Sequence, residues 1–261
     1  MLIVRAIIQL TRLDSALLGF LAIFLPLLVR TASVAVSLTR AIPLFFICIC
    51  TFIANDMDDV DRDRVNHPSR PLPAGHVTPV LAMILYFASL AAALLSTKHY
   101  VPPSIGFGYY ALIAVSISYG YIVECCPSLK APYVAIATSV PILIVAAWYP
   151  TELRLRFVAG AVFLFTLARE ICMDIRDREG DGVSFVHELK PTPLAVVAFV
   201  IQFTGLVLLA SQIRRAADVV DLGAMTIILV ISGISWFVCG KYKVATGLMK
   251  LQFFVGLYFL I

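Results

Sequence analysis

Nine stretches of this chain, at residues 15–33, 39–55, 80–97, 103–124, 131–149, 157–173, 192–212, 220–240 and 243–261, are apolar almost without a break. About 20 such residues carry an α-helix across the hydrocarbon layer of a bilayer. Inside that layer the backbone must satisfy its own polar groups, which leaves helices and closed barrels. Barrel strands alternate apolar and polar residues, and these runs do not. Composition agrees: 61% of the 261 residues are hydrophobic and 14% charged, against roughly 45–50% apolar and ~25% charged in soluble domains. The surplus apolar surface has to face lipid, so a soluble enzyme and a disordered chain are both excluded. The sequence predicts an all-α integral membrane protein, a single transmembrane domain over residues 1–261. The second run is short, and its helix is expected to continue into the polar stretch that follows. Residues 1–14 read as an amphipathic helix at the interface rather than a cleavable leader. The formal charge of +4 is too small to argue for nucleic acid.

Two of the connections stand apart. Residues 55–75 read NDMDDVDRDRVNHPSRPLPAG and residues 169–182 read REICMDIRDREGDG, and together they hold ten of the sixteen acidic residues. They follow the second and sixth runs, an even number of crossings apart, so both are expected on one face of the membrane. That side collects twelve Lys and Arg against seven, although seven of the twelve belong to the acidic stretches and their flanks. The excess places these loops in the cytoplasm.

On a helix, Asp56, Asp59 and Asp63 stand at i, i+3 and i+7, and Asp174, Asp177 and Asp181 repeat the spacing. Residues so placed share one face. Crowded carboxylates repel one another and take up protons unless a cation lies among them. Oxygen ligands without His or Cys favour Mg2+, which keeps waters and binds a substrate phosphate together with one or two carboxylates. The interleaved arginines suit phosphate oxygens. At a membrane surface this combination predicts a site for a diphosphate with an apolar tail, an isoprenyl diphosphate. A solvated, charge-laced loop would explain one such stretch, but two with the same spacing on one face argue against it. The EF-hand pattern is absent. The six cysteines and four histidines show no metal-site spacing.

Asn55-Asp56-x-x-Asp59-x-x-x-Asp63, followed by Asn66-x-Pro68-x-Arg70-Pro71-x-Pro73-x-Gly75, resembles the first signature of the UbiA superfamily of intramembrane prenyltransferases. Arg169-Glu170-Ile171-x-x-Asp174-Ile175-x-Asp177-x-x-Gly180-Asp181 resembles the second. The first motif is most similar to the branch of digeranylgeranylglyceryl phosphate synthases and related bacterial enzymes. The resemblance implies nine transmembrane helices around a central cavity, with the two Asp-rich motifs at one membrane face. It implies that Asn55, Asp56, Asp59 and Asp63 bind one Mg2+ and the diphosphate through it, and that Asp174, Asp177 and Asp181 do the same with a second. It further implies that Arg64 and Arg70 contact phosphate oxygens and that Lys130 grips the diphosphate from a third direction. The chain departs from the family pattern after the second motif, where Phe185, Glu188 and Lys190 replace the usual Gly, Thr and Pro. Cys125-Cys126 replaces Tyr-Ser ahead of Lys130, and the Gly-Asn usual after that lysine is missing. The diphosphate machinery is intact, and the acceptor, or its absence, is left open.

Two reactions fit. In the first, the allylic C–O bond lengthens and an aromatic ring or a hydroxyl attacks C1, which is prenyl transfer. In the second, the chain's own double bonds capture the cation, as in terpene cyclases of the same superfamily. Both need dry walls. Tyr109, Tyr110, Tyr119, Tyr121, Trp148 and Tyr149 are aromatic candidates for them, and packing or interfacial anchoring equally explains any one. A transporter with acidic gates draws only on Lys250 in the ninth run, and its acids would belong at the midplane. The expected partners are an isoprenyl diphosphate and the lipid bilayer.

Overall fold

The structure, a computed structural model, describes residues 2–177 and 190–256, and every regular element among them is helical. One compact unit holds α1 (Leu2–Leu10), α2 (Leu13–Thr31), α3 (Val34–Asp58), α4 (Val60–Asn66), α5 (Pro79–Tyr100) and α6 (Pro103–Cys125). A second unit opens with a 3-10 turn (Pro127–Leu129). It continues through α7 (Lys130–Trp148), α8 (Leu153–Arg176), α9 (Pro191–Ala210), α10 (Ala216–Phe237) and α11 (Tyr242–Gly256).

Among the described residues seven helices are long and apolar enough to cross a membrane: α2, α3, α5, α6, α7, α9 and α10. The chain is therefore a multi-pass integral membrane protein. The remaining two apolar runs fall on α8 and α11. Charged side chains crowd both ends of α8, from Arg154 and Arg156 to Arg169, Glu170, Asp174 and Arg176. The described part of α11 has 15 residues. As expected, α3 runs past its apolar stretch and ends inside the acidic one.

Local chemistry sets the helix ends. Ser33 and Thr78 lie just ahead of α3 and α5, where their hydroxyl oxygens accept from the backbone N–H of Val36 (3.3 Å) and Leu81 (3.2 Å). Such caps satisfy donors that the first turn leaves unpaired. Hydroxyls within the spans return to a carbonyl one turn back, as Ser89 does to Leu85 (2.9 Å) and Thr226 to Leu222 (2.8 Å). That keeps them satisfied where water is absent.

In the first unit α3 is the hub, packing against α2, α5 and α6. In the second, α8 plays that part, packing against α7, α9 and α11. Each acidic stretch thus begins at the C-terminal end of the hub helix of its own unit. The N-terminal segment differs from its expected course. Helix α1 stops at Leu10, and Arg12 turns the chain in the left-handed region (φ 43°, ψ 54°) before α2 begins. That conformation costs a residue with a Cβ about 1–2 kcal/mol. Ala6 and Leu10 of α1 are buried in one cluster with Ile49, Ile53, Leu72, Val77 and Ala82, while Ile3, Val4 and Ile8 on the same helix stay exposed.

Close helix packing in a membrane relies on small residues. At Gly205 of α9, a Cβ would lie 2.7 Å from Cε1 and 3.0 Å from Cδ1 of the buried Phe165 ring on α8. At Gly223 of α10, a Cβ would meet nothing within 4 Å. Gly205→Ala is expected to destabilise by about 1–3 kcal/mol through overpacking. Gly223→Ala, which only gains helix propensity, should be neutral or slightly stabilising. Thermal unfolding in detergent checks the pair, and equal melting temperatures would contradict the α8–α9 contact.

Candidate functional site

The last turn of α3 carries Asn55 and Asp56, and Asp59 follows at the junction with α4 (φ −93°, ψ 5°). Hydrogen bonds from the Asp59 N–H to Asn55 O (2.9 Å) and from the Asp63 N–H to Asp59 O (2.8 Å) carry the helical turn across that junction. The expected column is thus divided between α3 and α4, with Asp59 at the junction, instead of running along one helix. Asp56 and Asp63 are both buried and face a common partner. Arg70 Nη1 donates to Asp63 at 2.8 Å (Oδ1) and 2.6 Å (Oδ2), and lies 3.6 Å from Asp56 Oδ1. Asp59 stays partly exposed and pairs with Arg62 at 3.1 Å.

The proline-rich stretch after α4 explains how Arg70 reaches back. Its turns close through Ala74 N–H to Arg70 O (3.0 Å) and Gly75 N–H to Leu72 O (3.0 Å), with Gly75 in the left-handed region at φ 70°. Leu72 and Val77 are buried in the cluster with Leu10 and Ile53, which pins the segment. Arg64, by contrast, is exposed and pairs with the exposed Asp61 at 2.6 Å. Sequence reasoning missed two residues here. Arg12, from the left-handed turn, forms a close ion pair with Asp56 Oδ1, and its guanidinium stands 5.4 Å from the centre of the Phe52 ring. Asp58 lies against Gly120 of α6, where a Cβ would meet Asp58 Oδ2 at 2.1 Å.

In the second unit, Asp174 lies in the last turn of α8 and Asp177 terminates the helix, its N–H bonded to Met173 O at 2.9 Å. Lys130 Nζ, at the first residue of α7, sits 2.7 Å from Asp174 Oδ1. Arg176 binds Asp177 in a fork, Nε to Oδ1 and Nη2 to Oδ2, both at 2.6 Å. Its Nη1 donates to Thr246 on α11 at 3.0 Å. Asp181 lies outside the described residues, as do Phe185 and Glu188. Of the aromatic candidates, Tyr109 is fully buried with its hydroxyl donating to Arg40 O (2.7 Å), a packing role, and Tyr119 is buried as well. Tyr110 and Tyr121 are exposed, and Trp148 and Tyr149 are half-buried.

Burial pushes the Asp63 carboxyl above the ordinary carboxylate range; Arg70 opposes this, while the charges of Asp56 and Asp59 add to it. Among the described residues no three His, Cys, Asp or Glu side chains converge to chelate a metal by themselves. The carboxylates of Asp56, Asp63, Asp174 and Asp177 are instead held by guanidinium or ammonium groups. The donor set nonetheless suits Mg2+. It consists of hard oxygens, and Asn55 Oδ1 is buried with no hydrogen-bond partner. An acceptor left so costs about 1–3 kcal/mol, and a cation beside it would remove that cost.

Residues 15–239 match the sequence profile of the UbiA prenyltransferase family. The digeranylgeranylglyceryl phosphate synthase of Methanosphaera stadtmanae is 29% identical over 223 residues, 74% of this chain and 74% of that protein. A solved structure of a UbiA homologue from Aeropyrum pernix K1 aligns with a TM-score of 0.78 at 16% identity, covering 94% of this chain and 96% of that one. A UbiA homologue from Archaeoglobus fulgidus, bound to GPP and Mg2+, aligns with a TM-score of 0.64 at 16% identity, over 98% and 99%. At these identities the structural likeness speaks for the fold.

Arg70→Met would leave Asp63 buried without its guanidinium. A loss of about 2–4 kcal/mol is expected, less than for a fully buried pair because Arg70 is 26% exposed. A carboxyl that titrates higher when folded keeps its proton longer in the folded state, so stability falls as pH rises between the two values. The deficit of Arg70→Met should therefore shrink on acidification and grow towards neutral pH. Asp63→Asn in the same background should remove the pH dependence. Thermal unfolding across pH checks both, and a pH-independent deficit would refute the pairing.

Proposed function

Because the chain belongs to the UbiA prenyltransferase family, we propose that it transfers an isoprenyl group from a polyprenyl diphosphate to an acceptor inside the membrane, with Mg2+. The observation that carries this reading is the end of α3: two buried carboxylates, Asp56 and Asp63, share one arginine, and Asn55 in the same last turn keeps a buried oxygen without a hydrogen-bond partner. Of the aromatic or hydroxyl acceptors open to the chain, similarity to relatives such as the digeranylgeranylglyceryl phosphate synthase of Methanosphaera stadtmanae supports a hydroxyl. Binding of GPP and Mg2+ by the Archaeoglobus fulgidus homologue supports the donor class.

In this reading Asn55, Asp56, Asp59 and Asp63 would hold one Mg2+, and Asp174, Asp177 and Asp181 would hold a second. A bound ion of this kind supplies positive charge against the leaving diphosphate. Arg70 and Lys130 turn from their carboxylates to phosphate oxygens, and Arg64 contributes from the exposed side. The allylic C–O bond breaks with its electron pair on the diphosphate, the acceptor oxygen bonds to C1, and the acceptor loses its proton. The apolar helices keep water from the cation. The chain acts as a single prenyltransferase domain, its acidic loops assigned to the cytoplasm by the distribution of Lys and Arg in the sequence.

Purified protein given geranylgeranyl diphosphate, Mg2+ and a glyceryl phosphate acceptor is expected to release diphosphate and form an ether-linked product. Chelation should stop the reaction reversibly. Asp56→Asn and Asp174→Asn should each lower turnover by roughly 100-fold or more, the scale of losing a key electrostatic group, while the protein still folds. Mass spectrometry reads the product. A cyclic terpene formed without acceptor would overturn the transfer, and full activity in both variants would overturn the site.

A further inference from the structure

Two guanidinium groups face one carboxylate oxygen at the end of α3. Asp56 Oδ1 forms a close ion pair with Arg12 and stands 3.6 Å from Arg70 Nη1. Arg70 is committed to Asp63 through both carboxylate oxygens. Arg12 has Asp56 as its ionic partner, and its side chain is 31% exposed where that of Asp56 is 4%. The residue stands at a left-handed turn that few residues with a Cβ adopt. Its carbonyl accepts from the N–H groups of Ser15 (2.8 Å) and Ala16 (3.0 Å), which start α2. A strained backbone that is held in place points to a function for the side chain it presents. The guanidinium stands 5.4 Å from the centre of the Phe52 ring, and its partial exposure lets it turn outward, while Arg70 remains 3.6 Å from Asp56 Oδ1.

We propose that Arg12 is a charge-balancing residue that makes Mg2+ binding at this site depend on the diphosphate. The proposal rests on the reading of the α3 end as a diphosphate site. With Arg12 and Arg70 in place, the charges of Asp56 and Asp63 are already neutralised. Mg2+ alone would bring two further positive charges into a partly buried setting, and guanidinium and metal would compete for Asp56. A diphosphate supplies the anion that Arg12 can turn to, which frees the carboxylate. Each ligand then strengthens the other, and by linkage the strengthening is reciprocal. Arg12 is in this sense a positioning residue: it sets the order in which charge enters the site, and the carboxylates carry the metal.

The test uses the full chain in detergent with two probes, Mg2+ alone and inorganic diphosphate at fixed Mg2+, followed by calorimetry. Arg12→Met keeps the apolar stem against Phe52 and removes the charge. Mg2+ alone is expected to bind roughly tenfold tighter and inorganic diphosphate roughly tenfold weaker, within the usual range of coupling between sites. Arg12→Lys, which keeps the charge, should restore wild-type behaviour in both titrations. A purely structural role would weaken both ligands together, and that result overturns the proposal, as do unchanged affinities in Arg12→Met. Should Arg12→Met fail to fold, Arg12→Gln is titrated in the same way. If the wild-type protein binds neither Mg2+ nor diphosphate, the diphosphate site itself is wrong; if it binds both and the variants match it, only the role of Arg12 falls.

Discussion

The carboxylates of Asp56 and Asp174 stand in the last turns of α3 and α8. The C-terminal end of a helix carries about half a negative charge from its aligned peptide dipoles. Acidic side chains at that position add to a field that already repels them, and near a membrane little water is present to screen it. Every contact at these ends answers that constraint. Arg12 and Arg70 meet Asp56 and Asp63, and Lys130 meets Asp174. Lys130 itself starts a helix, where the backbone field is positive and disfavours its ammonium. The ion pair with Asp174 relieves both groups at once.

The hub position of α3 and α8 makes the arrangement rigid. A helix packed against three neighbours in its unit has little freedom to move its terminal turn. Small residues bring the neighbours close, as Gly205 does beneath Phe165. In the first unit the proline-rich return segment is anchored by Leu72 and Val77, so Arg70 is presented by a fixed loop and its pairing with Asp63 loses little entropy. The apolar bundle therefore does more than cross the lipid. It holds like charges at distances they would not choose.

Much of this was legible in the sequence. Runs without alternation gave the helices, and the long reach of α3 followed from the shortness of its apolar part. The repeated spacing of aspartates located both helix ends. The break at Asp59 was not legible, because the spacing argument assumes one unbroken helix, and a run of neighbouring acids with low helix propensity weakens the backbone there. Arg12 was hidden for another reason. It lies 44 residues from Asp56 in sequence, and only the left-handed turn after α1, which no glycine announces, brings it back. Lys130 was visible through family resemblance alone, since a lone lysine at a helix start carries no local signal. Arg62, by contrast, pairs with Asp59 at ordinary helical i,i+3 spacing, and Arg176 pairs with its immediate neighbour Asp177, where the helix ends.

Arginine and a divalent metal ion are alternative answers to the same electrostatic need, and they differ in what they permit. A guanidinium tethered to the chain keeps buried carboxylates ionised and satisfied when no ligand is present, which protects the fold. The same guanidinium stands where a metal would coordinate. Stability of the free protein and affinity for the metal are thus opposed at Asp56, and the balance is set by how easily the arginine leaves. Arg12, partly exposed and held by one buried partner, leaves more easily than Arg70, which grips both oxygens of Asp63. A site built this way would resist collecting cations on their own and accept them with the anion that draws the arginine off. For the diphosphate proposed as ligand, that ordering would keep the net charge at the end of α3 near zero at each stage of binding and release.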